Sequence, residues 1–254
     1  MEQLFNIDFK KISTSSQSEA LDRKKNFDIF LKNGLPNKKN ENWKFSDLNS
    51  IINKNFKKIT NNDDFKFEKK IELINDFEHN HIVLVNGILK SCDLRFEERE
   101  KIKIEKSNSN EFFNHDPSNN LYYLNKALTV GGFNLEIKKN YKCKKPIIIY
   151  NYFTPHLENK IINNSNRIIL NQNSELTLIE YNIGENCKFL KNTFENINID
   201  QDSLLRSIII QKTKNNGYFY KNISGSQGYN SGYQNFILSS GLKFNKIEID
   251  INLE

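Results

Sequence analysis

Residues Leu242 to Glu254 read L-K-F-N-K-I-E-I-D-I-N-L-E. Ile247, Ile249, Ile251 and Leu253 alternate with Lys246, Glu248, Asp250 and Asn252. A period of two, apolar on one face and polar on the other, is the pattern of a half-buried strand. The chain stops inside it, and an open strand edge is normally covered or blunted. The stretch therefore raises the expectation of further structure beyond Glu254. For this chain alone it predicts an incompletely closed core and self-association through the terminal strand.

The same grammar runs backward to Gly132. Short apolar stretches lie at Phe133–Ile137, Pro146–Phe153, Asn166–Leu170, Glu175–Tyr181, Phe194–Ile199, Leu204–Gln211, Gly217–Ile223 and Tyr233–Leu238. They are rich in Ile, Phe and Tyr, are separated by Asn, Ser and Gly, and are not interrupted by helical periodicity. This is an all-β region. A sandwich and a parallel solenoid of stacked coils both fit such spacing. The lack of an exact internal repeat weighs slightly against a regular solenoid.

The first third reads as mainly helical. Ser16-Gln17-Ser18-Glu19 has capping-box spacing. Ala20, Leu21, Phe27, Phe30 and Leu31 then recur at helical intervals, and Gly34 and Pro36 supply a stop. This predicts a helix over 17–33. Ser46 is a candidate cap for a short helix through Ile52, and Ser118 for one running to Thr129 before Gly131-Gly132. His81–Leu89 contains Asn86-Gly87 and predicts a strand, a tight turn and a return strand.

Composition bounds the function. Hydrophobic residues make up only 37%, but nineteen Phe among 12% aromatics argue for a packed chain rather than a disordered one. The net charge of +6 arises from 37 basic and 31 acidic residues, too mixed to imply nucleic acid. The densest basic run, Lys138, Lys139, Lys142, Lys144 and Lys145, is expected to be a solvated turn. Cys92, Cys143 and Cys187 are odd in number and far apart, which suits a reducing compartment. No signal peptide and no run of ~18 apolar residues occurs. A cytoplasmic protein with no membrane contact is expected.

Five segments, in order, carry a resemblance. They are Leu35-Pro36 through Glu41-Asn42-Trp43-Lys44-Phe45-Ser46-Asp47-Leu48, His81–Leu89, Leu121–Gly132 (L-Y-Y-L-N-K-A-L-T-V-G-G), Lys145-Pro146-Ile147-Ile148-Ile149, and Asn166–Leu170 with Glu175–Glu180. Together they resemble SufD, within the SufB/SufD family of the SUF iron–sulfur cluster assembly system. Phe45 replaces a Tyr of the family pattern and Asn42 a Glu. The early Trp43-Lys44 segment favours SufD over its paralogue SufB. The resemblance implies a mainly helical N-terminal domain at 1–115. It implies the first part of a right-handed parallel β-helix at 116–254, giving an α+β region followed by an all-β solenoid. It also implies a non-enzymatic scaffold that pairs with a SufB-like protein and a SufC-like ABC-type ATPase, with the iron–sulfur cluster belonging to the complex. The family's C-terminal His-containing and SufC-binding segments have no counterpart here. The chain is therefore expected to be truncated, and no cluster ligand is assigned.

Other constellations offer alternatives. His79 and His81, with Glu78 and Cys92 near, could begin a metal site, but hydrogen-bonded His at a strand start are expected. His115 and His156 are isolated. Lysines around Cys143 could lower its pKa, whereas Cys143 and Cys187 are expected to act as small fillers. Gly225–Gly232 lacks the Lys-Ser/Thr pair of a phosphate loop and is expected to be a flexible loop. Asp200 and Asp202 could bind calcium or serve a polysaccharide-acting β-helix enzyme, with a polar turn as the expected reading. A carbohydrate-active enzyme and a basic nucleic-acid-binding module are the alternatives to the scaffold.

Overall fold

The computed structural model describes residues 1, 3–62, 67, 71–107, 118–212 and 216–254. His115 lies outside them. Helix α1 (Gln17–Asn33) begins where the capping box predicts, with Ser16 Oγ accepting from Glu19 N at 3.1 Å. The Glu19 carboxylate reaches back to Ser15 rather than to the cap residue. Helix α2 (Leu48–Asn55) is capped by Asp47, not Ser46, and α3 (Asn120–Leu128) by Asn119, not Ser118. In each case the acceptor one residue later reaches a free N–H of the first turn, Ser50 N or Leu121 N.

The strands are β1 (Thr60–Asn61), β2 (Asn80–Val85), β3 (Ile88–Asp93), β4 (Ile102–Lys106), β5 (Phe133–Ile137), β6 (Ile147–Phe153), β7 (Lys160–Leu170), β8 (Glu175–Gly184), β9 (Lys188–Ile199), β10 (Leu204–Lys212), β11 (Asn216–Gln227), β12 (Gly232–Ser240) and β13 (Phe244–Leu253). One sheet, built from the odd-numbered strands except β3 together with β4, has the order β13-β11-β9-β7-β5-β4, with β1 on β7. The other, built from the remaining even-numbered strands and β3 of the β2–β3 hairpin, has the order β12-β10-β8-β6-β2-β3. From β5 onward the chain alternates between sheets, and each new strand pairs in parallel with the one two before it. That is a parallel β-solenoid, and it decides against the sandwich. Asn192 bonds Asn163 across 29 residues, and Asn196 bonds Ser224 across 28, which is the length of one coil. The hairpin at Asn86-Gly87 forms as expected, with φ of 50° and 85°. Strands β2, β3 and β4 precede residue 116 yet pair into the solenoid sheets.

Three layers of apolar packing hold this together. Leu135, Ile137, Ile168, Leu170, Leu176, Leu178, Ile197, Ile199 and Leu205 fill the lumen between the sheets. Phe27 and Phe30 of α1, Leu48 and Ile52 of α2, and Leu121 and Leu124 of α3 pack on the outer face of the odd-strand sheet, at Ile161, Leu190, Phe194 and Tyr218. Ile71, Leu73 and Ile74 lie on the outer face of the even-strand sheet, against Val83, Val85, Ile148 and Tyr150. Arg23, buried in α1, ties the helices together. Its guanidinium donates to the carbonyls of Ala127 and Thr129 at 3.0 and 2.9 Å and pairs with Glu19 at 3.0 Å. This satisfies the otherwise orphaned C-terminal carbonyls of α3. In β13, Ile247 and Ile251 are only half-buried, and Ile249 and Leu253 are exposed, because a strand neighbours it on one side only.

Candidate functional site

The middle of the lumen is polar, and strand alternation puts it there. In β8, Leu176, Leu178, Glu180 and Asn182 share the inward face. In β9, Lys191, Thr193, Glu195 and Ile197 do so, and in β11 Phe219, Lys221 and Ile223. Four charged side chains therefore meet between the sheets, each no more than 9% exposed. Lys221 Nζ lies 2.6 Å from Glu180 Oε2 and 2.9 Å from Glu195 Oε1, and Lys191 Nζ lies 3.3 Å from Glu180 Oε1. Asn151 and Asn182 donate to Glu180 at 3.0 and 3.1 Å, and Asn166 donates to Glu195 at 3.1 Å. Lys191 also sits over Phe153 and Phe219, 5.5 and 5.3 Å from the ring centroids.

The network is charge-balanced, two carboxylates to two ammonium groups. Burial alone would raise the Glu180 carboxyl. Lys221 and Lys191 override it and hold that group well below the usual carboxylate range. Burial likewise opposes the charge of Lys221, yet Glu180 and Glu195 raise it above an ordinary lysine. Lys191 keeps a lowered pKa, since burial outweighs its single close carboxylate. Enclosed, paired charges of this kind fix the packing of strands from both sheets. Transferring protons to an outside substrate would need solvent access that these groups lack.

The Trp43 segment forms a second assembly at the joint between the helical layer and the solenoid. Trp43 is 4% exposed, with Tyr220 at 5.5 Å and Phe244 stacked on it at 6.4 Å. Lys246 Nζ lies 4.7 Å from the Trp43 ring centroid and donates to Asn42 O at 2.7 Å. Tyr220 donates to Glu248 and accepts from Asn119. Burial first, and Glu248 second, push its hydroxyl well above an ordinary tyrosine.

Of the described residues singled out in the sequence, the structure brings His79 and His81 together, with ring centroids 6.3 Å apart. Among the described residues no group of three or more His, Cys, Asp or Glu side chains could hold a metal ion. His79 Nδ1 donates to Phe77 O at 3.0 Å, so Nε2 is the acceptor for Tyr150 O–H at 3.0 Å, and both ring nitrogens are used. His81 is held below its ordinary pKa, chiefly by burial. His156 bonds Lys160 on the surface. Cys143 is not activated by its lysines: burial, with Glu97, pushes its thiol up to about 12. Cys187 packs among Phe153, Phe189 and Phe219 and is also pushed up to about 12 by burial. Asp200 accepts from Gln201 N and Asp202 from Asn230, so both carboxylates serve turns. Gly225–Gly232 is the end of β11 and a tight turn into β12, closed by Ser231 N on Gly228 O. Among the described residues no helix is long and apolar enough to cross a membrane.

A comparison with curated proteins finds no match to the chain. A family model for the SufBD protein N-terminal region matches residues 2–149, which span α1 to α3, the Trp43 segment, the Asn86-Gly87 hairpin and the first solenoid strands. The five ordered segments, the helical layer and the solenoid built on it thus converge on one assignment: the chain belongs to the SufB/SufD family.

Proposed function

We propose that this chain is a non-enzymatic, SufD-like scaffold subunit of iron–sulfur cluster assembly in the cytoplasm. It pairs with a SufB-like protein and a SufC-like ATPase, and the iron–sulfur cluster is the cargo of the complex rather than a cofactor of this chain. The observation that carries the reading is the family match over residues 2–149, which include the Trp43-Lys44 segment that favours SufD over SufB. The solenoid supports it, because a stack of coils offers long, fixed strand faces to partners. The lumen supports it too, because its four charges are spent on one another. A tagged chain co-expressed with the SufB-like and SufC-like proteins of the same organism is expected to retain both through affinity and size-exclusion steps. Recovery of the chain without either partner would refute the role.

A further inference from the structure

The two sheets differ in how their outer faces are covered. On the odd-strand sheet the helical layer packs across the coils as far as Tyr218, Tyr220 and Phe244. On the even-strand sheet the register lines up two apolar rows. Ile148, Ile179, Ile208 and Phe236 stand side by side on β6, β8, β10 and β12, and so do Tyr150, Tyr181, Ile210 and Leu238. A strap at 71–74 lies over the start of these rows, with Ile71, Leu73 and Ile74 packed with Ile148 and Tyr150. At the far end the rows are bare: Phe236 is 61% and Leu238 48% exposed. Ile208 and Ile210 are only half-buried although β10 has a strand on each side, so their exposure belongs to the face and not to the sheet edge. Leu21 of α1 and Phe45 are exposed too, but on separate elements, as single apolar residues commonly are.

The strap shows what such a face takes. Its aliphatic side chains bury on the rows, and Ile74 N donates to the Tyr150 hydroxyl at 3.0 Å. That hydroxyl donates in turn to His79 Nε2 at 3.0 Å. Tyr181 repeats the position one strand further along the row, its ring edge-on to Tyr150 at 6.0 Å. Among the described residues nothing hydrogen-bonds the Tyr181 hydroxyl. We propose that the bare half of this face docks an aliphatic, strap-like segment of a partner protein. The segment packs on Ile208, Ile210, Phe236 and Leu238 and donates a backbone N–H to Tyr181, as Ile74 does to Tyr150. Width favours this occupant. The two rows are two residues apart along each strand, about 7 Å. The next row, Thr177, Arg206 and Gln234, is polar, with Arg206 paired to Glu175 at 3.7 Å. Such a strip matches a single chain and is narrower than a helix, about 10–12 Å across. The site rests on this face alone and is independent of the subunit role proposed above.

The test is fluorescence anisotropy of the full chain with a labelled synthetic peptide of the strap's own sequence, residues 71–77 (I-E-L-I-N-D-F). Saturable binding that persists in high salt is expected. Phe236→Ser with Leu238→Ser, at exposed positions outside the core, should weaken it about tenfold or more through lost apolar burial. Tyr181→Phe should weaken it about fivefold, the loss of one hydrogen bond. A peptide carrying Ile71→Ser, Leu73→Ser and Ile74→Ser should not bind, and Leu21→Ser with Phe45→Ser in the chain should change nothing. No saturable binding, or binding indifferent to Phe236 and Leu238, would overturn the proposal. Binding that is sensitive to Tyr150→Phe but not to Tyr181→Phe would also overturn it, because the peptide would then be displacing the chain's own strap. So would dimerisation in sedimentation that Phe236→Ser with Leu238→Ser abolishes, which would make a second copy the occupant.

Discussion

Replacing Lys221 by Met asks whether the lumen network is a balanced set of buried charges. The substitution keeps much of the side-chain volume but leaves Glu180 and Glu195 facing each other with Lys191 as their only cation. Lys221 makes the two shortest ion pairs in the network, at 2.6 and 2.9 Å. Removing one partner of a buried pair costs about 3–5 kcal/mol, because the remaining charge stays desolvated. At about 2–4 °C per kcal/mol for a chain of this size, the melting temperature should fall by roughly 6–20 °C. The double change Glu180→Gln with Lys191→Met removes one charge of each sign and leaves Lys221 paired with Glu195. It should cost less, roughly 0–2 kcal/mol, since balanced removal of buried charges is often near neutral. A pH arm fixes the sign. In the wild type the Glu180 pKa is depressed, so its contribution is fully present above the unfolded value of 4.5 and is lost as pH falls through the lower folded value. Without Lys221, burial raises that pKa, and protonation then relieves the variant. The penalty for Lys221→Met measured by urea unfolding should therefore be smaller at pH 4 than at pH 7. A single variant no less stable than the double, or a penalty that does not change with pH, would refute the buried-network reading.

Four other outcomes can be checked directly. Gly225→Ala should destabilise by about 1–3 kcal/mol or more in urea, because a Cβ there would lie 1.7 Å from Ile197 O on the neighbouring strand. Arg23→Met should cost about 2–4 kcal/mol, and Arg23→Lys should recover little, since a single ammonium cannot reach both carbonyls and Glu19 in the geometry of the guanidinium. Trp43 is the only tryptophan, so its emission should be blue-shifted and poorly quenched by iodide in the folded chain, and Trp43→Ala should cost about 3–5 kcal/mol. A colorimetric thiol reagent at pH 8 should titrate Cys92, which is exposed, and leave Cys143 and Cys187 unreacted until urea is added.

Much of this architecture is legible in the sequence, and the failures share a cause. Helix α1 and the Asn86-Gly87 hairpin follow from capping and turn chemistry. Strands β7 and β9 are longer than their apolar stretches suggest. Asn163, Asn164 and Ser165, like Asn192 and Thr193, read as loop residues but are buried strand positions. Their polar groups are used across coils: Asn164 donates to Gly87 O, and Asn192 to Leu121 O and Asn163. A solenoid can bury asparagine this way because each coil presents the next with acceptors at the same height. The charged network is hidden in the sequence for a related reason. Glu175–Tyr181 carries apolar residues on both faces, which hides Glu180 as a surface residue. Counting by twos from Leu176 and Leu178 places it inward. The same count backward from Ile197 through Glu195 and Thr193 to Lys191, and from Ile223 to Lys221, points to the other three. What no count supplies is that these positions meet, because that depends on the register between coils.

Register is where the polar lumen matters most. A one-residue slip in a parallel stack turns inward residues out, and the core forbids it. A two-residue slip keeps the inward face inward. In the apolar part of the lumen it is nearly silent: sliding β9 past β7 by two exchanges Ile197 for Ile199 against Ile168. The charges remove that freedom. Lys221 stands beside Thr193, one inward position from Glu195 on one side and Lys191 on the other. Sliding β11 two residues one way sets Lys221 beside Lys191, two buried cations roughly one strand spacing of about 4.8 Å apart. At an effective dielectric near 20 that repulsion is about 3 kcal/mol, before the loss of the contacts to Glu180. Sliding it the other way sets Lys221 beside Glu195 but carries it along the strand, away from Glu180, and leaves that carboxylate buried with Lys191 alone. In the observed register a single ammonium, Lys221, serves both carboxylates. The isoleucine ladders supply most of the burial, and the four charges select among the alignments that burial alone would accept. The proposed scaffold role, with faces held in fixed relation to partners, would draw on that selection.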